Sequence, residues 1–144
     1  MDYYKNINSV DHNMDFMRDY FQSQEITDII HRHLKEQKDH IIDKNTYKER
    51  YQHNNDVFLH IRLHHATCYN VGVDYYIHCI KMLDSKMPNN IYIGTDDFNS
   101  ELIKKIQTLY PKIILFKEDP VKTIQFASTC KHIVLSHGSF SAMI

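Results

Sequence analysis

The sequence is short of the residues that break chains: three glycines and three prolines among 144 residues, and no tryptophan. So few turn-formers leave room for few long loops. Three cysteines, Cys68, Cys79 and Cys130, form no CxxC pair. An odd count at wide spacing fits a reducing compartment and reads as small core residues, not a disulfide or zinc framework. No run of about 18 apolar residues could span a bilayer, and Met1-Asp2-Tyr3 does not open a signal peptide. The expectation is a soluble, cytoplasmic chain. Neither charge sign is in excess, with 17 Lys and Arg against 18 Asp and Glu, so nothing argues for nucleic acid or an acidic membrane as partner. GxSxG, Walker A and GxGxxG are all missing, which weighs against hydrolase, NTPase and dinucleotide-binding readings.

What is present is an ordinary globular composition, 42% hydrophobic and 24% charged, in a length that suits one domain. Residues 1–14 are polar and read as loosely held. Over 23–38, Ile26, Ile29, Ile30 and Leu34 recur at helical spacing with Ser23 placed to cap. Residues 43–56 read as a short helix or linker, so 15–56 forms a helical segment ahead of a domain at 57–144. From Val57 the pattern becomes regular. Strands are expected at 57–63, 91–95, 112–116 and 132–136, and helices at 74–86, 98–110, 120–130 and from Ser139. Strands alternating with helices imply right-handed crossovers and an α/β fold with a parallel sheet.

In a parallel sheet all carboxyl ends share one edge, where doubly wound folds bind ligands. That edge collects Arg62, Thr95-Asp96-Asp97, Glu118-Asp119 and Ser136-His137-Gly138-Ser139. The chain has four arginines and only one after Arg50, so Arg62 stands out at the end of the apolar run VFLHIRL. Alternation sends Phe58, His60 and Arg62 to one face and Val57, Leu59, Ile61 and Leu63 to the other. A buried guanidinium needs a partner. Either Arg62 holds a phosphate through two parallel hydrogen bonds, or it pairs with Asp96, Asp97 or Asp119. SHGSFS (136–141) is either an anion site at a helix start or plain capping by Ser139. Asp96 and Asp97 are adjacent and point apart, which disfavours a glycosidase-type acid/base pair; one of them could cap the next helix. His60, His64, His65 and His78 lack the spacing of a zinc site.

The motifs YFQS (20–23), HIR (60–62), DYY (74–76), TDD (95–97) and CKHIVLSHGSFS (130–141), taken in order, resemble glycosyltransferase family 11, the α-1,2-fucosyltransferases, and the wider fucosyltransferase superfamily. The last motif aligns without a gap at Cys130, Lys131, His132, Ser139, Phe140 and Ser141. The resemblance implies the Rossmann-like donor-binding half of a GT-B glycosyltransferase, with GDP-fucose as donor, a glycan hydroxyl as acceptor, inverting chemistry, and neither cofactor nor metal. It implies that Arg62 holds the diphosphate and stabilises the leaving group, with His60 beside it. By the same resemblance, Ser139, Phe140 and Ser141 meet the phosphates and nucleoside, and Asp97 closes the second motif.

The chain departs from the family pattern at Leu63-His64-His65, where the family continues R-G-D, and at Thr123, where an aspartate reads guanine. Glu118 or Asp119 could substitute there. It also lacks the glycine-rich N-terminal segment and most of the acceptor half. A shortened protein of this kind is expected to associate with a missing half or to form a homo-oligomer. Two readings follow: a donor-binding portion active with its acceptor half, or a non-catalytic nucleotide-sugar-binding or self-assembling remnant.

Overall fold

The computed structural model describes residues 24–51, 54–64 and 70–144. Ser23, YFQS, His65, Cys68 and residues 1–14 lie outside the described residues. The chain divides into two compact units, Met1–Lys44 and Asn45–Ile144. In the first unit, α1 (Gln24–Glu36) and α2 (Lys38–Lys44) fall within the helical segment read from the sequence. A turn at Gln37 separates them, and its amide still bonds the carbonyl of His33 at 3.1 Å.

The second unit is α/β. Its strands are β1 (Val57–Ile61), β2 (Ile91–Thr95), β3 (Ile114–Leu115) and β4 (His132–Val134). The helices are α3 (Gly72–Asp84), α4 (Glu101–Leu109), α5 (Pro120–Ala127) and α6 (Ser139–Met143). The four strands are all parallel in the order β3-β2-β1-β4. Leu59 sits opposite Ile93 on one side and Val134 on the other. The chain thus winds outward from β1 to β3, then returns across the sheet to add β4 on the far side of β1. This is the doubly wound, Rossmann-like arrangement, and its switch point falls between β1 and β4.

β1 is buried along its whole length because it is central and covered on both faces. Val57, Leu59 and Ile61 join Tyr76 and Ile80 of α3 and Ile103 and Ile106 of α4 in one core. Phe58 faces the other way, into a core with Phe126, Ala127 and Cys130, flanked by Tyr47, Tyr92 and Phe116. Fully burying a side chain of this kind is worth about 1.5–3 kcal/mol. Gly94 makes room for Phe58: a Cβ there would stand 2.6 Å from the ring's Cζ.

Several elements end differently from their sequence patterns, and particular hydrogen bonds set their limits. β1 stops at Ile61 rather than 63 because Asp96 takes the amides of Leu63 (2.8 Å) and His64 (3.1 Å) out of the ladder. α4 starts at Glu101 because Ser100, not Asp96 or Asp97, is its cap, accepting from the Ile103 amide at 3.3 Å. α5 is capped by Asp119, which accepts from the Lys122 amide at 3.0 Å, with Pro120 at the first helical position.

The segment from Asn45 to Asp56 packs within the α/β unit, which therefore begins before Val57. It is tied to the α5–β4 connection at the sheet's amino edge. Arg50 Nη2 contacts Asp56 Oδ2 at 2.7 Å, and Arg50 Nε donates to Thr129 Oγ1 at 3.0 Å. Its guanidinium lies 4.2 Å from the ring centre of Phe126. The other oxygen of Asp56 accepts from Asn90 Nδ2 at 3.0 Å. Asn54 Nδ2 donates to the carbonyl of Thr129 at 2.9 Å. Of the cysteines, Cys130 is buried in this region and Cys79 is half-buried on α3. No helix of the described residues is long and apolar enough to cross a membrane.

Candidate functional site

The carboxyl edge of the sheet holds an open cleft of about 240 Å³. One wall is formed by His60 and Arg62 of β1 and its end, the floor by Gly94, Thr95 and Asp96, and the far side by Glu118, Pro120 and Thr123. Phe98, Phe116 and Phe140 supply its aromatic surface. The position follows from the topology, since the loops after β1 and β4 leave in opposite directions and open a crevice between them.

Arg62 is half-buried. Among the described residues no carboxylate lies at ion-pair distance from its guanidinium. The three carboxylates that the sequence offered as partners are engaged elsewhere. Asp96 spends both oxygens on backbone amides of the β1 loop. Asp97 Oδ1 accepts from the Asn99 amide at 3.0 Å. Asp119 caps α5. The Arg62 side chain instead lies over Gly138, where a Cβ would be 3.7 Å from its Cδ and 3.8 Å from Nη1. Gly138 has φ +92°, a conformation that side-chain-bearing residues rarely adopt. The one glycine of SHGSFS is therefore required by backbone geometry, and Arg62 packs against it.

His60 is 6% exposed. Its Nδ1 is 2.6 Å from Ser141 Oγ, and its ring centre is 5.0 Å from that of Phe140. Burial pushes its pKa down to about 4; Asp96 opposes the shift, while the positive field of Arg62 and His137 adds to it. His60 is thus neutral at pH 7. Ser141 is 3% exposed and donates to the carbonyl of His137 at 3.2 Å.

The structure brings together His60, Arg62 and Phe140 in the cleft and seats Ser141 behind His60. It places Ser139 at the exposed start of α6, whose capping position is Gly138 with no side-chain cap bond. The capping alternative for Ser139 is therefore not realised. Asp97 does not line the cleft; it braces the β2–α4 turn, and its Oδ2 is 4.0 Å from His64 Nε2. Glu118 lines the cleft with Oε2 held by Lys122 Nζ at 3.1 Å. Within DYY, Tyr76 is core and the Tyr75 hydroxyl donates to the carbonyl of Leu135 at 3.0 Å, fastening α3 to the end of β4. Phe98 and Phe116 were not singled out by motif; the signal was a phenylalanine just past each of two strand ends. Among the described residues, no three His, Cys, Asp or Glu side chains gather as a metal site.

This constellation offers one cation, one neutral imidazole and aromatic walls, which suits a phosphorylated ligand carrying a ring. No protein-family model matches the chain, and no curated protein matches it.

Proposed function

We propose that the cleft binds the diphosphate of a nucleotide sugar, and that the chain is the donor-binding portion of a fucosyltransferase-like protein. With an acceptor half supplied, it would pass fucose from GDP-fucose to a glycan hydroxyl with inversion. The observation that carries this reading is Arg62: a half-buried guanidinium with no carboxylate partner among the described residues, at the switch point of a doubly wound sheet. A diphosphate would supply the missing counter-charge through two parallel hydrogen bonds. The same contact would stabilise the nucleoside diphosphate as it departs, when its charge grows. Phe98, Phe116 and Phe140 offer apolar surface for a base or sugar ring. The motif order HIR, DYY, TDD and CKH…SFS supports GDP-fucose over other nucleotide sugars.

A second reading, a nucleotide-sugar binder without catalysis, is favoured by the carboxylates. Asp96 and Asp97 are both committed to backbone amides, and Glu118 is held by Lys122. Each of the three therefore already has a protein partner that competes with an acceptor hydroxyl.

Calorimetric titration of the chain with GDP, UDP and inorganic pyrophosphate tests the reading. Selective GDP binding that disappears in Arg62→Ala supports a donor site. Equal weak binding of all three supports an anion site without base recognition. No binding of any would overturn the proposal. Hydrolysis or transfer of fucose from GDP-fucose then separates the two readings.

A further inference from the structure

Ser141 has one hydroxyl proton and two neighbours. The His137 carbonyl, 3.2 Å away, can only accept, and His60 Nδ1, 2.6 Å away, can do either. If the hydroxyl proton went to His60, the oxygens of Ser141 and His137 would face each other with no hydrogen between them. Both contacts are satisfied together in one arrangement: the hydroxyl donates to the carbonyl, and Nδ1–H donates to the hydroxyl. The side chain four residues on from an accepting carbonyl is a common position for such a bond.

We infer that Ser141 is a positioning residue which fixes the proton of His60 on Nδ1, so that Nε2 faces the ligand as an acceptor beside the Arg62 cation. The resemblance placed Ser141 among the ligand contacts, yet its hydroxyl is buried beneath the histidine and fully used. The consequence concerns ligand chemistry. A bare phosphate oxygen suits Arg62 and is repelled by the Nε2 lone pair. The ligand therefore presents a donor, a hydroxyl or ring N–H, next to its anionic group, as the ribose and base of a nucleoside diphosphate do. His60 stays neutral at neutral pH because it is buried beside a cation, so this acceptor persists. The ligand half of the inference rests on the nucleotide-sugar reading; the histidine half stands without it.

Nitrogen-15 NMR of the histidine rings in the 144-residue chain decides it, with His60→Gln assigning the signal. The expected result at pH 7 is a proton on Nδ1 in the wild type and in Ser141→Thr. In Ser141→Ala most of it should move to Nε2, and GDP affinity should fall about tenfold. Saturating GDP should leave the wild-type proton on Nδ1. A wild-type proton on Nε2, a tautomer unchanged in Ser141→Ala, or a proton driven to Nε2 by GDP would each overturn the inference. A chain that binds no GDP removes the ligand half together with the nucleotide-sugar reading, while the wild-type spectrum still decides the tautomer.

Discussion

Arg50 and Arg62 sit at opposite ends of the same parallel sheet and are treated in opposite ways. At the amino edge, Arg50 is enclosed by its own chain: Asp56 at 2.7 Å, Thr129 at 3.0 Å and the face of Phe126 at 4.2 Å. At the carboxyl edge, Arg62 has aromatic and glycine neighbours, and the nearby carboxylates have been given other work. A structural arginine is recognisable because every group around it answers to it. A ligand arginine is recognisable because the fold supports its stem and leaves its head unanswered. The difference follows from strand direction, since amino ends of parallel strands are closed by returning loops and carboxyl ends open at the switch point.

The comparison can be tested by breaking each side in turn. Arg50→Ala leaves Asp56, whose side chain is 3% exposed, without its cation, and should lower stability by about 3–5 kcal/mol in urea unfolding. The companion change Arg62→Ala should move stability by no more than about 0.5 kcal/mol while eliminating GDP binding.

Acid should act through the carboxyl edge. The pKa of His60 is about 4 in the folded chain, below the ordinary value of 6.5, so the unfolded chain takes up the proton first. Its contribution is intact above pH 6.5, declines as pH falls from there, and is fully lost below about 4, for a total of roughly 3 kcal/mol. The charged and titratable groups acting on it are Arg62, His137 and Asp96. Urea midpoints measured against pH in wild type and His60→Gln isolate this share, which should vanish in the variant.

Gly94→Ala should cost about 1–3 kcal/mol, because the new methyl would press on the Phe58 ring beneath the cleft floor. Thermal unfolding measures it, and the pair Gly94→Ala with Phe58→Leu should recover part of the loss. Ser141→Ala should cost about 1–2 kcal/mol in the same assay, the penalty for leaving Nδ1 of the buried His60 ring without its hydrogen-bond partner.

Much of the architecture was legible in the sequence because it depends on local pattern. The apolar runs and helical spacings after Val57 gave the alternation of strands and helices, and the two-residue period placed His60 and Arg62 on one face. The cleft's location followed once the sheet was read as parallel. Element ends were less legible, because distant groups decide them: β1 stops where Asp96, 33 residues on, captures its amides. The pairing of Arg50 with Thr129 spans 79 residues and left no trace in either neighbourhood. The inward turn of the Ser141 hydroxyl was not legible, because motif position does not reveal the rotation of a short helix. The packing of α6 against His60 turns that hydroxyl inward.

The most direct measurement of the central claim is the urea midpoint of wild type and Arg62→Ala, each with and without GDP. The account predicts equal midpoints without nucleotide, and a GDP-dependent rise in the wild type alone. A midpoint that falls in Arg62→Ala without nucleotide, with no response to GDP in either chain, would make Arg62 a structural residue like Arg50 and contradict the account.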